Sequence, residues 1–310
     1  GEAEWAKLPL SETAGPLLRK NFHPMHRIQV FWLLMLAAAW LQASPAWGCS
    51  VPVFRYALDH WSPEPYRLEV GAEQLGVWEQ QVPRNDPQFL LEKGNSGEGA
   101  TLLQPFAKEW IELANDLTPE QLPAFRNSAA RQEIAKRIVG GESAVFVILH
   151  SGDPQEAVQA VEKRLRHLES ILELPELDPN DPADDLGPGP DLWIAFSTLT
   201  VARDDPAEAA FVALLTDFRG EEDTGKTLVI PVFGRGRALG VLPVDSELQT
   251  RLDQVALYLC GACSCQVKAL NPGWDLLIAL DWDQALSSQG PAKRLTREDA
   301  APDPGNAHHE

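Results

Sequence analysis

The chain has 310 residues, which is enough for one large domain or two small ones with a buried core. Apolar side chains make up 44% of the chain, a share that is ordinary for a globular protein and too high for a disordered one. The formal net charge is −19 and no basic run interrupts the sequence, which disfavours nucleic acid and anionic lipid as partners.

An export signal is predicted over residues 25–48, after an upstream stretch, residues 1–24, that shows no sustained periodicity. A short polar start precedes an unbroken apolar run of twelve residues, 30–41. This length is typical of a secretory signal peptide and is short for a helix that spans a bilayer. Small residues stand at positions −3 and −1 relative to Cys49, which is the pattern of a cleavage site.

The junction at Cys49 leaves three alternatives open. The chain is cut there by ordinary cleavage, or Cys49 is lipidated after the cut, or the apolar run stays in place as an anchor. The junction resembles a bacterial lipobox, although Trp47 is bulky where a lipobox has a small residue and Leu41 lies too far from the cysteine. Each alternative predicts an exported protein, periplasmic or membrane-anchored, whose membrane contact is the N-terminal segment.

Residues 49–286 are predicted to form a single α/β domain. Its first half contains apolar residues at helical spacing and one stretch in which apolar and polar residues alternate, as they do in a strand. The predicted elements are a helix over 50–61 with Ser50 as N-cap, a strand over Tyr66–Val70, a surface loop over Gln81–Gly99, a helix over Leu103–Leu117 and a helix over Ala129–Val139.

Two similar strand–helix units follow and determine the predicted fold class. The apolar strands Ala144–Leu149 and Leu192–Ala202 are each followed by an Asp-Pro pair, Asp153-Pro154 and Asp205-Pro206, that begins a helix. Strands that are apolar throughout indicate a sheet buried on both faces, hence an α/β fold. The acidic, proline-rich stretch 177–190 between the units is interpreted as a loop within one domain.

A hairpin over Thr227–Val241 and a helix over Ser246–Leu259 complete the predicted domain. Leu276–Leu280 is interpreted as an edge strand. Residues 287–310 are polar and contain proline, so they are predicted to be a disordered tail.

The order of these elements, with the hairpin Val229–Gly236 and its Pro231, resembles the thioredoxin-like fold. The resemblance implies a three-layer sandwich with insertions, whose mixed sheet ends in the hairpin and a C-terminal helix. The sequence departs from that superfamily where its chemistry lies, because no Cys-x-x-Cys stands at a strand-to-helix turn. Separately, Cys49–Leu58 and Asn271–Leu277 resemble an uncharacterised family of exported bacterial proteins, which implies export and no particular activity.

Two nucleotide-binding patterns occur in the sequence, and both are rejected. Residues 220–227 match the phosphate-loop pattern, but a predicted helix precedes them and a strand follows, the reverse of what phosphate binding requires. Three consecutive acids, Glu221, Glu222 and Asp223, would also repel phosphate. Residues 234–236 have the glycine spacing of a dinucleotide-binding loop, but they form the turn of a predicted hairpin and do not begin a helix, so they do not indicate dinucleotide binding. We therefore predict no cofactor.

The cysteines are the most informative candidate site. Cys260, Cys263 and Cys265 form a C-terminal cluster, and Cys49 stands just before the first predicted helix. In an exported protein we expect disulfides that join Cys260 to a neighbour in the cluster, or one of the cluster to Cys49. The alternatives are redox thiols or a soft-metal site, although no histidine is nearby in sequence. Cys260 lies at the C-terminal end of a predicted helix, where the helix dipole disfavours a thiolate. Cys49 precedes a predicted helix N-terminus, where the dipole favours a thiolate.

A ligand rim is the second candidate site. His150 ends the first buried strand, where α/β folds often place functional groups, and Trp274, Asp275 and Trp282 combine aromatic rings with an acid. Two structural roles are the alternatives to a ligand rim. His150 belongs to a hydrogen-bonded loop, and the other three residues form an amphipathic edge packed over the core. The sequence contains no catalytic constellation, and its histidines and carboxylates are not spaced as metal ligands.

The leading hypothesis is a non-catalytic binding or assembly module in the cell envelope, with an unidentified protein or small-molecule partner. It rests on a well-patterned core without a catalytic constellation. The alternative is a thiol-based redox enzyme or a soft-metal-binding protein that uses the C-terminal cysteine cluster.

Overall fold

The computed structural model describes residues 49–94, 99–106, 109–216, 225–263 and 266–296. These residues belong to one compact unit, Gly48–Glu310. The predicted signal peptide, Cys265, most of the phosphate-loop pattern and the end of the predicted tail lie outside the described residues.

Strands in two mixed sheets are interspersed with helices along the chain, which confirms the α/β class. The strands are β1 Tyr66–Val70, β2 Phe89–Lys93, β3 Ala100–Phe106, β4 Glu109–Leu117, β5 Ala144–His150, β6 Phe196–Ala202, β7 Leu228–Phe233, β8 Arg237–Ala238, β9 Leu242–Pro243 and β10 Trp274–Asp275. The helices are α1 Val53–His60, α2 Leu75–Gln81, α3 Leu122–Arg126, α4 Ala129–Val139, α5 Gln155–Ile171, α6 Ala209–Thr216, α7 Leu248–Cys260 and α8 Trp282–Ser287.

A mixed sheet forms the larger layer, with strand order β10-β8-β7-β5-β6 and with β9 paired to β7. β5 and β6 are parallel, whereas β7 runs antiparallel to β5 and β8 antiparallel to β7. β5 is buried on both faces, as its apolar sequence predicts. Its even-numbered residues pack with α1, α5 and α7, and its odd-numbered residues pack with α4, α6 and a second sheet.

The second sheet was not predicted from the sequence. Its strand order is β2-β1-β3-β4, with β1 parallel to β2 and antiparallel to β3. β3 and β4 pair as antiparallel strands where a helix over Leu103–Leu117 was predicted, so that prediction is wrong. The apolar residues at helical spacing in this stretch are spread over the two strands of a hairpin, whose pairing overrides the local pattern.

The predicted surface loop over Gln81–Gly99 also contains a strand, β2. Phe89 at its start is buried, whereas Leu90 is 41% exposed, so only part of this strand faces the core. The run of apolar residues in this strand is therefore short. The surrounding proline, asparagine and glycine residues outweigh it, so the sequence predicted a loop.

The acidic loop 177–190 is attached to the start of the domain by hydrogen bonds. The amide of Ser50 donates to Oδ1 of the buried Asp184 over 2.6 Å, and Arg55 Nη2 donates to the carbonyl of Gly187 over 2.7 Å. The loop is therefore held against α1.

Residues 288–296, which belong to the predicted tail, also lie against the body of the domain. The amide of Gly189 donates to the carbonyl of Gly290, and the amide of Leu192 donates to the carbonyl of Lys293 over 2.7 Å. Residues 297–310 lie outside the described residues.

Candidate functional site

A cavity of about 560 Å³ lies beside the stretch that follows β10. Distant parts of the chain meet here: Ser62–Glu64 before β1, Pro87 and Gln88 before β2, Arg126 at the end of α3, Arg235 in the turn between β7 and β8, and Leu276–Asp283. We call it the edge cavity.

Residues 276–280, which we call the edge segment, continue β10 at the outer edge of the larger sheet. The segment is not helical, and at its end the amide of Leu280 donates to the carbonyl of Ile278 over 3.0 Å, which closes a three-residue turn centred on Ala279. On the side of the sheet, the amide of Leu276 donates to the carbonyl of Gly236 over 2.9 Å. The side chains of Leu276, Leu277 and Ile278 are buried, which fixes the segment against the core.

The backbone of the edge segment retains hydrogen-bonding capacity. Within the described residues, the amides of Leu277, Ile278 and Ala279 donate to no acceptor. All three residues line the edge cavity. Leu277 and Ile278 are buried, and buried backbone amides are almost always paired in folded proteins, so their amides are available to a molecule bound in the cavity. Ala279 is exposed, so its amide is open to water or to a bound molecule.

Arg235 forms one wall of the edge cavity and is held in place by α1. Its Nε donates to the carbonyl of Leu58 over 2.7 Å and its Nη2 to the carbonyl of Asp59 over 3.1 Å. These carbonyls lie in the last turn of α1, where the helix dipole favours a cation. The guanidinium also pairs with Asp283 over 2.8 Å.

Arg126 forms a second wall and is fixed from the side of the smaller sheet. It pairs with Asp86 over 2.7 Å, and its guanidinium lies 4.6 Å from the centre of the Phe89 ring. Both arginines are thus held by the fold before any ligand arrives.

Among the described residues, two side-chain donors near the edge cavity lack acceptors. Gln88 accepts from Arg126 Nη1 through Oε1 over 3.2 Å, while its Nε2 has no partner. The indole Nε1 of Trp282, a residue that is 4% exposed, also has none. A buried donor without an acceptor costs about 1–3 kcal/mol, so donors of this kind favour a ligand that brings oxygen atoms.

A separate cavity of about 770 Å³ lies at the start of β6 and is lined in part by Glu142 and Glu169. Burial raises the pKa of both carboxyl groups, and the charge of Glu142 raises that of Glu169 further. Ser197 Oγ donates to Glu142, and the amide of Phe196 donates to Glu169 over 2.6 Å. Both carboxyl groups therefore anchor the first residues of β6.

The structure does not bring the predicted ligand rim together. Trp274 is buried and donates from Nε1 to the carbonyl of Leu214 over 3.2 Å. Asp275 is buried and accepts from Arg237 Nη1 over 3.0 Å and from Lys268. These side chains hold the fold, and of the four predicted rim residues Trp282 is the one that lines the edge cavity.

His150 is located away from the edge cavity, at the C-terminal end of β5. Its Nδ1 lies 2.6 Å from the carbonyl oxygen of Gly152. This contact belongs to the local hydrogen-bonded loop that was weighed against a functional role.

The three described cysteines, Cys49, Cys260 and Cys263, are buried and free, and no two of them lie at disulfide distance. Cys49 Sγ donates to the carbonyl of Ala183 over 3.1 Å. The amide of Cys263 donates to the carbonyl of Val51 over 2.9 Å, so Cys49 and Cys263 lie on adjoining segments.

The environment of the thiols disfavours thiolate chemistry. Burial raises the pKa of Cys260 to about 12, with a smaller contribution from the charge of Glu169. Burial also raises the pKa of Cys49 and outweighs the favourable electrostatics predicted there. A nucleophilic or metal-binding cysteine requires a lowered pKa and access from solvent.

The described part of the chain contains no group of three histidine, cysteine or carboxylate side chains arranged to hold a metal ion. None of its helices combines the length and the apolar character needed to cross a bilayer.

No family model matches this chain, and no curated protein matches it in sequence. The edge cavity is therefore interpreted from its own geometry. Of the residues that line the edge cavity, the sequence pointed only to Trp282 as a rim residue, and Gln88, Arg126 and Arg235 were missed. No local pattern could have indicated these three, because long-range packing brings them to the edge segment. Leu276–Leu280, interpreted as an edge strand, carries no strand: the edge strand is β10, Trp274–Asp275, just before it.

Proposed function

We propose that this protein is a non-catalytic binding module of the cell envelope, and that its edge cavity holds an extended peptide segment of a partner protein. The observation that carries the proposal is the row of unpaired amides at Leu277, Ile278 and Ala279 beside a preformed cavity. An extended peptide laid along a free sheet edge gains backbone hydrogen bonds, which is recognition by strand addition.

The dimensions and rigidity of the edge cavity support this role. Its volume of about 560 Å³ lies within the range of about 300–1,000 Å³ typical of ligand sites. Arg126 and Arg235 are already fixed by bonds to Asp86, Leu58 and Asp59, so binding orders few side chains. A preorganised site loses less conformational entropy when the ligand binds.

We also propose that the larger sheet and its helices form a thioredoxin-like scaffold with insertions. The order β6-β5-β7-β8, with β5 and β6 parallel and the next two strands antiparallel in turn, supports this arrangement. The turn after β5 carries Ser151-Gly152-Asp153-Pro154 and no thiol pair. On this scaffold, binding takes place at the sheet edge.

Export is part of the proposal and rests on the sequence of residues 25–48. Processing or lipidation at Cys49 stays a prediction. Disulfide pairing in the cysteine cluster also stays a prediction, because Cys265 lies outside the described residues.

The thiol-based alternative is less well supported. Cys260 and Cys263 are spaced as Cys-x-x-Cys, but both are buried and Cys260 ends a helix. The raised pKa of Cys260, about 12, leaves almost no thiolate at neutral pH. No observation on the described cysteines favours redox or metal chemistry over a structural role.

The proposal is tested with a displayed library of random linear peptides selected against the full chain. We expect enriched peptides with micromolar affinity. Ala279→Trp should abolish their binding, because Ala279 is exposed and lines the edge cavity, where an indole fills the space.

Gln284→Trp is the matched control, since Gln284 is exposed on α8 and does not line the edge cavity. This variant should bind the enriched peptides as the unmodified chain does. Peptides that bind Ala279→Trp as tightly as the unmodified chain, or a selection that enriches none, would contradict the proposal.

A further inference from the structure

The edge segment offers the edge cavity hydrogen-bond donors where its carbonyls are already occupied. Within the described residues, the amides of Leu277 and Ala279 donate to no acceptor. The carbonyl of Leu277, by contrast, accepts from Arg131 Nη1 over 3.0 Å, and the carbonyl of Ile278 accepts from the amide of Leu280 over 3.0 Å. A molecule bound along these residues must therefore supply acceptors.

Arg235 adds a charged donor to the same cavity. Its Nε and Nη2 donate to carbonyls of α1, whereas its Nη1 has no acceptor among the described residues. The guanidinium also pairs with Asp283, but the side chain of Asp283 is 82% exposed while that of Arg235 is 10% exposed. Ion pairs with an exposed partner contribute little to stability, so an incoming anion can replace Asp283.

The turn that carries Arg235 packs directly on the edge segment. Gly236, the next residue, accepts the amide of Leu276 over 2.9 Å. A Cβ at Gly236 would stand 2.8 Å from Cδ1 of Ile278, so the two stretches touch closely. Arg235 and the edge segment thus line one cavity as neighbours.

The carboxylates that line the edge cavity have partners of their own. Asp281 accepts from the amide of Gln284 over 2.9 Å, and Glu64 lies 3.9 Å from Lys268 Nζ. The third, Asp283, is the exchangeable partner of the guanidinium. A cationic ligand would leave the amides of the edge segment and the guanidinium Nη1 without acceptors. The cavity therefore favours an anion.

We propose that the edge cavity selects the C-terminus of its partner, and that the terminal carboxylate binds Arg235 and the amides of the edge segment. This proposal rests on the proposed function and adds which part of the partner binds. An ionised carboxylate only accepts hydrogen bonds, and it matches the fork of an arginine. Capture of a terminal carboxylate by backbone amides is a recurring mode of peptide recognition.

The length of the edge segment favours the end of a chain over its middle. The extended run closes in the three-residue turn centred on Ala279, and α8 begins at Trp282. An added strand therefore finds free amides along a short stretch only. A chain that ends there places its carboxylate among donors, whereas a chain that continues has no further backbone to pair with.

The test uses two displayed libraries of the same random peptides, one with free C-termini and one with the C-terminus fused to the carrier. Both are selected against the full chain, and we expect the tightest binders from the first library. Each enriched peptide is then synthesised as the C-terminal acid and as the C-terminal amide. The acid should bind at least about tenfold more tightly, because hydrogen bonds to a charged group are the stronger ones.

Arg235→Gln removes the cation and should bind the acid and the amide with equal affinity. Arg251→Gln is the matched control, because Arg251 pairs with Asp245 and does not line the edge cavity. This control should retain the preference for the acid. Circular dichroism verifies that each variant folds, and the comparison of acid with amide in the unmodified chain depends on no substitution.

The outcomes separate this proposal from the proposed function. Equal affinity of acid and amide for the unmodified chain would overturn the proposal while peptide binding stands. Binders that require an internal aspartate or glutamate and tolerate the amide would do the same, because the carboxylate would then come from a side chain. Loss of the preference in Arg251→Gln would show a general effect of charge and also overturn it. A selection that enriches nothing from either library would contradict the proposed function itself.

Discussion

Three buried arginines, Arg55, Arg131 and Arg237, hold irregular parts of the chain in place. Loop carbonyls have no partner in a helix or sheet, and an arginine presents five donors in a fixed fork. Arg237 shows the arrangement most fully, because it donates to the carbonyls of three consecutive residues, 271–273, over 2.9–3.0 Å. Its remaining bond goes to Asp275, so the buried guanidinium is also paired with a charge.

The carboxyl group of Glu142, which is half-buried, gives a prediction about pH. Burial raises its pKa above the ordinary 4.5, so the folded state binds this proton more tightly than the unfolded state does. The resulting stability is fully present below the unfolded pKa and is lost as pH rises through the folded pKa. Glu142→Gln keeps an acceptor for Ser197 and cannot ionise. Its free energy of unfolding, relative to the unmodified chain, should therefore rise as pH increases above the ordinary pKa of a glutamate.

Asp245→Asn is the control with the opposite sign, because a hydrogen bond from Arg251 lowers the pKa of Asp245. This variant should lose stability relative to the unmodified chain as pH rises through the acid range. Urea unfolding at several pH values measures both differences. A Glu142→Gln difference that is constant with pH, or that falls as pH rises, would contradict the assigned environment of Glu142.

At the scale of elements, the turn before β10 positions the edge segment. Gly273 has a φ of +104°, and a Cβ there would stand 2.3 Å from the carbonyl oxygen of Ala238. Ala238 belongs to β8, which pairs with β10. Glycine at position 273 therefore allows β10 to close onto the sheet and places the edge segment beside the cavity.

Gly273→Ala is expected to destabilise the protein by about 2–4 kcal/mol, because it combines a left-handed backbone with overpacking. Gly240→Ala is the matched control, since a Cβ at Gly240 meets nothing within 4 Å. That substitution should change stability by less than about 0.5 kcal/mol. Urea unfolding measures both, and equal effects of the two substitutions would contradict the account of the turn.

The elements that the sequence predicts correctly are those with a local pattern. Tyr66–Val70 alternates along a strand, and Ala129–Val139 is bounded by Ser128 and a pair of glycines; both ranges are confirmed. Leu103–Leu117 has apolar residues at helical spacing, but these side chains are spread over a hairpin, where Leu103 and Leu113 are only partly buried. Tertiary pairing overrode the spacing there.

The edge cavity could be predicted only in part. The sequence indicates an edge strand in this region, since a short apolar run after a glycine is typical of one, but it places the strand at Leu276–Leu280 and the structure has it at Trp274–Asp275. It does not indicate that Arg126, Gln88 and Arg235 lie opposite, because these residues come from separate elements. Contacts between distant segments depend on how the core is assembled, and a local sequence pattern does not indicate that.

At the scale of the whole molecule, the two sheets share one core. Tyr66, Leu68 and Val70 of the smaller sheet belong to the same apolar cluster as the odd-numbered residues of β5. Neither sheet can lose its packing without exposing apolar surface on the other, so we expect the described domain to unfold in a single transition.

Leu68→Ala tests this expectation, because Leu68 is fully buried in β1. The cavity it leaves should cost about 2–5 kcal/mol, and the loss should appear equally in the exchange of amides in β5 and in β3. Leu90→Ala in β2 is the control, because Leu90 is 41% exposed and its truncation should cost little. Loss of protection in the smaller sheet alone would show that the two sheets unfold separately.

Amide hydrogen exchange in the edge segment tests the central claim most directly. In the free protein, the amides of Leu277, Ile278 and Ala279 should exchange faster than the amide of Leu276, which donates to Gly236. When a peptide selected against the full chain is bound, we predict that exchange slows at the amides of Leu277 and Ala279 and changes less at Ile278, because successive amides of an extended segment point to opposite sides and the Leu276 amide faces Gly236. Slow exchange in the free protein, or unchanged exchange in the peptide complex, would contradict strand addition at the edge cavity.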